Sequence, residues 1–444
     1  MNPTTSEQID LAERTVRETL GLGADEVSVS VSQGSHTTVQ RRDGKVEQAT
    51  EATTRGLSLS LMVDDRYSSH GTSDLRPEAL TQFLKNAIAA TRFLEPDPDR
   101  ALPDPALCGR GSTDAELDVF DPAFNDYTPA DRSKTGQEIE AAVVASGLDN
   151  VISSSAYIAD GSSKSARVTS TGFAEETHGA WFALGGETTL ATPDGKRPEA
   201  SAYYAGRYLS DLPSIETIQA EIVRRANERL NSGPIESGKY PMILLNQVAG
   251  RILGVIGGPL SGGSLHHDRS CLKGKLGESI GSKLFTIVDD PTIPRGLGSR
   301  AWDGDTLIAK PRTIVKNGVL ESYYLNTYYG RKLDMAPTTG GRSNWVIPGG
   351  DQSWQEIAKA FPKAILVTGF LGGNSNGVTG NFSFGVRGVL LENGVPTKNL
   401  SEMNVAGGVL DIFHKLSAVA NDTWTFSSTR SPTLVFEDVQ FSGT

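Results

Sequence analysis

Two runs of strict alternation constrain this chain more than any other feature. Val27, Val29 and Val31 alternate with serine, and Leu57, Leu59 and Leu61 recur two apart in "RGLSLSLMVDD". A period of two puts the apolar side chains of a strand on one face, so each run reads as a half-buried β-strand. Asp43-Gly44, in "RRDGKVEQA", is a hairpin turn signal between them. Helical spacing brackets the strands. Ile9, Ala12, Val16 and Leu20 follow a Thr5-x-x-Gln8 capping box, and Leu80, Phe83, Leu84, Ala87 and Ile88 follow Asp74 and Pro77. This order of helix, antiparallel strands and helix predicts an α+β layer with the sheet covered on one face.

The Pro-rich stretch from Glu95 to Gly111 reads as a surface connection. A helix is expected over residues 130–146, with Ala141, Ala142, Val144 and Ala145 facing inward. Residues 150–208 then read as strands, among them "VISSSAYIADG" and "ARVTSTGF" as separate segments. Pro213 opens an amphipathic helix through Leu230, and "NSGPIESGKYP" breaks the pattern. The predicted division is an N-terminal α+β region over 1–232 and a β-rich domain over 237–444. The second half holds "YPMILL", a helix from Gln247 to about Ile256, and a strand in "KLFTIVDD". Hairpins are expected at Asn317-Gly318, in "RTIVKNGVLESYYLNT", and at Asn393-Gly394. The fold class is α+β: an antiparallel sheet with covering helices, followed by a strand-rich, barrel-like domain.

Composition excludes several functions. The 444 residues carry a net charge of -11, which repels phosphate backbones and disfavours nucleic acid as a partner. No apolar run approaches the ~20 residues that span a bilayer. The polar, acidic N-terminus does not read as a signal peptide. Two cysteines, Cys108 and Cys271, indicate no disulfide framework, so a cytoplasmic location is expected.

His266, His267, Asp268 and Cys271 are metal-ligand types within six residues. Adjacent side chains diverge on a helix or a strand, so one ion does not easily take both histidines, and a polar loop is the plainer reading. "GNFSFG" places Ser383 on an alternating strand, a poor setting for a nucleophile. "FLGGNSNGVTGNFS" reads as a tight connection between strands, with weak capacity to hold an anion. Asp289, Asp290, Asp303 and Asp305 match no EF-hand spacing and read as a solvated turn stiffened by Pro291 and Pro294.

Several motifs occur together in one order: "RSCLKGKLGESIGSKLFTIVDDP", "GLGS", "DGDT", "GVLESYYLNTYYGRKL", "TTGG", "VTGNFSFGVRGVLLENG" and "AVANDTWTFSS". The chain thereby resembles the TldD/PmbA family, the modulators of DNA gyrase, and in particular its PmbA (TldE) branch. The resemblance implies a subunit of an intracellular heterodimeric metalloprotease acting on unfolded peptides. In that family the TldD-type subunit carries H-E-x-x-x-H and a C-terminal cysteine. In register with that pattern, the metal-motif positions fall on Leu253, Gly254 and Gly258, and "TFSSTR" takes the place of the cysteine segment. The resemblance therefore implies no catalytic residue, metal or cofactor in this chain, zinc in a TldD-like partner, and a scaffold and peptide-binding role here. Ser261, Gly262, Gly263, Asn374, Asn376, Thr379 and Asn381 are the candidate substrate-binding residues. Two alternatives stand beside this reading: a self-sufficient hydrolase using His266 and His267, and a homodimeric, non-catalytic peptide-binding protein.

Overall fold

The computed structural model describes residues 6–443. Helix α1 (Glu7–Gly21) precedes β1 (Glu26–Arg42), β2 (Lys45–Val63), β3 (Arg66–Thr72) and α2 (Pro77–Thr91). After α3 (Asp114–Leu117) come α4 (Pro129–Val144), β4 (Val151–Thr169), β5 (Ala174–Leu190), β6 (Glu199–Gly206) and α5 (Ile215–Asn227). The strands form one antiparallel sheet in the order β3-β2-β1-β4-β5-β6. Asp43 and Gly44 join β1 to β2 with φ of 49° and 81°, the paired positive values that match strand twist in a two-residue hairpin.

One face of this sheet carries the core. Val27, Val29 and Val31 pack with Leu57, Leu59 and Leu61 beneath α1 and α2. Val39, Ile158, Leu184 and Tyr204 pack beneath α4 and α5. Val27 through Val39 share one parity on β1, so both helix pairs cover the same side, as the alternation predicted. The expected cap at Thr5 lies outside the described residues; Ser6 caps α1, its Oγ accepting from the Ile9 N–H at 3.3 Å.

Two expectations fail in this half. On α4 the inward residues are Ile139 and Val143, while Ala141, Val144 and Ala145 are exposed. Buried charges set that rotation: Arg132 donates to both Asp160 oxygens at 2.6 and 2.7 Å, and Glu140 accepts from Arg41 at 3.2 Å. The segments expected as separate strands run together as β4. The polar residues between them pair with β1 on one side and β5 on the other, so the ladder does not break.

The second half begins with β7 (Gly238–Leu244), α6 (Asn246–Leu253) and α7 (Gly262–His266). Short elements follow: β8 (Ile287–Asp289), β9 (Arg312–Lys316), β10 (Val319–Leu320), α8 (Thr327–Lys332), β11 (Trp345–Val346) and α9 (Trp354–Ala358). Long strands then return as β12 (Lys363–Ser375), β13 (Asn381–Glu392) and β14 (Val395–Gly408). The last elements are α10 (Val409–His414), β15 (Leu416–Val419), β16 (Thr429–Arg430) and β17 (Leu434–Ser442). Strands β14-β13-β12-β7-β17 are neighbours in turn, and β17 pairs back onto β14, closing a five-stranded barrel. Its central strand β7 buries Met242, Ile243 and Leu244 completely, as a strand covered on both faces must.

The region between α7 and β12 departs from expectation. "KLFTIVDD" pairs only over Ile287–Asp289, because Phe285 turns inward to stack on Phe413 at 4.1 Å. Beyond β10 the expected strand ends, and buried Tyr324 instead accepts a 2.6 Å hydrogen bond from the Trp345 indole. The solvated turn is also wrong at two positions, since Asp289 and Asp303 are buried. Asp289 accepts from the Ser343 N–H at 2.6 Å and its Oγ at 2.9 Å. Asp303 accepts from the N–H groups of Asp305, Leu307 and Gly340, each at 2.9 Å. These carboxylates bind loops that have no ladder of their own.

The halves are strapped together. Lys332 pairs with Asp97 and Asp99, and Arg331 donates to the carbonyls of Asp99, Ala101 and Leu102 in the Pro-rich connection. Arg295 reaches Asp118 and Asp211, while Trp424 and Phe426 pack on Tyr204. Among the described residues no helix is long and apolar enough to cross a membrane.

Candidate functional site

The segment 253–258 lies where α6 ends and the backbone tightens into a single 3-10 turn over Gly254–Ile256. Leu253 is fully buried in the barrel core. Gly254 and Gly258 are exposed, and a Cβ built on either would meet nothing within 4 Å. None of the three positions offers a side-chain N, O or S atom, so a zinc ion does not fit them. Among the described residues no group of three or more His, Cys, Asp or Glu is placed to hold a metal ion.

The chain then turns through Pro259 into α7. Ser261 caps that helix, accepting from the Ser264 N–H at 3.3 Å and donating to the Gly258 carbonyl at 2.8 Å. Gly262 and Gly263 lie so close to Tyr329 that a side chain at either would press on its ring or Cβ. Small residues are needed there for packing. His266 and His267 stand edge to face at 4.9 Å between centroids, each about 6 Å from the Tyr329 ring. Asp268 pairs with Lys273, whose hydrogen bond and then charge hold the carboxyl below its usual range.

The second group of candidates forms the tip of the β12–β13 hairpin. Asn376 Oδ1 accepts from the Val378 N–H at 2.8 Å, and Thr379 Oγ1 accepts from the Asn381 N–H at 3.2 Å. Asn374 sits opposite Ser383 in the ladder. Asn374, Asn376, Thr379 and Asn381 are all exposed. The fold brings this tip against the 258–271 segment. The Cys271 N–H donates to the Gly377 carbonyl at 2.8 Å, and Ser270 Oγ donates to the Pro259 carbonyl at 2.6 Å. Burial pushes the Cys271 thiol up, away from the reactive thiolate.

Sequence reasoning missed two contributors to this surface, Arg251 and Trp345. Arg251 on α6 donates to the carbonyls of Gly372 and Gly373 at 3.3 and 3.4 Å and covers the Phe384 ring at 4.5 Å. Trp345 is fully buried and accounts for the floor under Gly257. The Trp345 N–H donates to the Ser428 carbonyl at 2.8 Å, which brings "TFSSTR" beside α6, with Thr429 next to Gly250. A lone cation on an amphipathic helix was the available signal for Arg251; Trp345 reaches the site by long-range contacts without a local sequence mark, whereas the family register already sets "TFSSTR" here. Finally, β12 pairs with β7 only over Ile365–Val367, so from Gly369 to Ser375 its far edge has no strand partner among the described residues.

Comparisons with known proteins follow the same outline. Residues 237–443 match the PmbA/TldA metallopeptidase C-terminal domain, and residues 27–91 match domain 1 of the PmbA/TldA metallopeptidases. Fold and sequence thus define a metallopeptidase-like protein. The chain is 28% identical to the metalloprotease PmbA of Escherichia coli O157:H7, over 95% of this chain and 93% of that one. A crystal structure from Bacteroides thetaiotaomicron, of a candidate modulator of DNA gyrase, superposes with a TM-score of 0.95 at 34% identity, covering 99% of this chain and 100% of that one. TldE from Thermococcus kodakarensis shares the fold, with a TM-score of 0.86 at 19% identity over 98% of this chain and 100% of that one. The chain belongs to the PmbA/TldD family.

Proposed function

We propose that this chain is the PmbA/TldE-type subunit of a heterodimeric metalloprotease, supplying scaffold and peptide-binding surface to a TldD-like, zinc-bearing partner. The observation that carries the reading is the chemistry of the turn after α6: a buried leucine and two exposed glycines stand at Leu253, Gly254 and Gly258. Neither a metal ligand nor a general base is available from them. The open edge of β12 supports the peptide-binding role, because an extended chain adds to such an edge through backbone hydrogen bonds that tolerate any sequence. This reading assigns peptide contact to Ser261, Gly262 and Gly263 and to the hairpin tip carrying Asn374, Asn376, Thr379 and Asn381. The division at residues 1–232 and 237–444 and a cytoplasmic location belong to the same proposal.

Metal content and peptidase activity of the purified chain, alone and mixed with a TldD-like subunit, test it. The expected result is no stoichiometric zinc and no cleavage alone, with cleavage in the mixture. Bound zinc and cleavage by the lone chain, abolished when His266 and His267 are both replaced by Ala, would establish the self-sufficient hydrolase instead.

A further inference from the structure

A cavity of about 800 Å³ lies between the two halves, on the side of β13 bearing Arg387. Arg387 sits between two irregularities of the barrel. On β12 the register skips Thr368, and on β14 Ser401 and Glu402 together oppose the single Arg387, with Glu402 at φ 57°. Bulges on both neighbouring strands re-aim side chains, and Thr368, Arg387, Ser401 and Glu402 all line the cavity. The Arg387 guanidinium is half-buried and has no ion pair or side-chain hydrogen bond among the described residues, although its stem lies over Gly369. Arg229 comes in from the segment after α5, and its guanidinium has one acceptor, the Glu199 backbone carbonyl. The Glu228 and Glu199 carboxylates act on Arg229, and Glu199 on Arg387, only through space; Glu228 itself pairs with Arg224.

Two guanidiniums are thus held near each other with no carboxylate bound to either. Burial, then the charges of Arg387 and Arg225, lower the Arg229 pKa to about 10, so both remain cationic at neutral pH. Arg225 is already engaged with Glu221 and the Ser201 carbonyl. Withdrawing unpaired charges partly from water has a cost, and a fork-shaped oxyanion offsets it with charge-assisted hydrogen bonds to each guanidinium. Leu230, Leu371 and Leu400 give the same cavity apolar walls. We propose that this cavity binds an organic oxyanion, a carboxylate or a phosphate monoester with a small apolar body, held between Arg387 and Arg229.

The test is isothermal titration of the full chain with 3-phenylpropionate and, separately, with phenyl phosphate, at ionic strength fixed by chloride. Saturable one-to-one binding of either probe is expected, weakened at least about tenfold by Arg387→Gln. Response to one probe only assigns the carboxylate or the phosphate ester as the ligand head group. Arg229→Gln carries the same expectation should Arg387→Gln fail to fold, with far-ultraviolet circular dichroism reporting the fold. No saturable binding of either probe up to about 10 mM, or affinity unchanged in the folded variant, overturns the proposal.

Discussion

The two halves of the molecule solve the same problem differently. The N-terminal half lays one antiparallel sheet under four helices, and its buried charges are matched: Arg132 with Asp160, Arg41 with Glu140. The C-terminal half closes a barrel, then fills the space between α7 and β12 with short paired strands and long loops, held by neutral donors on buried carboxylates. The first is ordered mainly by patterns within each element. The second is ordered by contacts between residues far apart, so its sensitivity to substitution should concentrate at a few buried nodes.

Trp345→Ala tests that contrast most severely. The residue is fully buried, and its loss costs about 3–5 kcal/mol as a cavity, with ~1–3 more where the Tyr324 hydroxyl loses its donor. Hydrogen exchange should show protection falling across residues 287–347 while β1 and β4 keep theirs. Equal loss in both halves would show that they unfold as one unit. In the N-terminal half the corresponding node is ionic. Arg132→Ala leaves the fully buried Asp160 without its partner, at a cost of about 3–5 kcal/mol in chemical denaturation. Adding Asp160→Leu should recover much of it; a double variant as unstable as the single one would mean that Arg132 acts mainly through its 2.6 Å bond to the Tyr127 carbonyl.

This difference also decides what was legible in the sequence. Val27-x-Val29-x-Val31 and Asp43-Gly44 are local statements, and the sheet follows them. The α4 face was misread because Arg132 and Glu140 look like surface residues until Asp160 and Arg41 are placed beneath them. Likewise Asp289 and Asp303 look solvated until Ser343 and Gly340 fold back onto them. At the candidate site, the sequence offered Ser261–Gly263 and Asn374–Asn381 as separate stretches. Their contact runs through Cys271, Gly377 and Pro259, which no pattern connects.

Hairpin glycines give a smaller and sharper comparison. Asp43-Gly44 and Asn317-Gly318 read alike, and Gly44 and Gly318 have φ of 81° and 83°. A Cβ at Gly44 meets nothing within 4 Å, whereas one at Gly318 would overlap the Gly281 and Ser282 carbonyl oxygens. Gly44→Ala should therefore cost only the left-handed penalty, ~1–2 kcal/mol. Gly318→Ala should cost about 1–3 kcal/mol more, because backbone must move. Equal losses in chemical denaturation would show that the segment around Gly281 yields freely.

The smallest effect separates paired from unpaired burial of charge by its pH dependence. Burial raises the Asp289 carboxyl above its usual value, against the opposing pull of Ser343 hydrogen bonds and of Arg300 and Arg312. The folded state then holds this proton more tightly than the unfolded state, whose carboxyl titrates near ~3.9. Between the two values the folded chain binds more protons, so stability falls as pH rises through that window and stays lower above it. Asp289→Asn keeps an acceptor for Ser343 and removes the titration. The variant should match or exceed the wild type by up to about 1 kcal/mol at neutral pH and lose that advantage below the unfolded-state value. A variant less stable at neutral pH, with the gap narrowing in acid, would show instead that the arginines hold Asp289 as a working ion pair. The C-terminal half would then rest on matched charge just as the N-terminal sheet does.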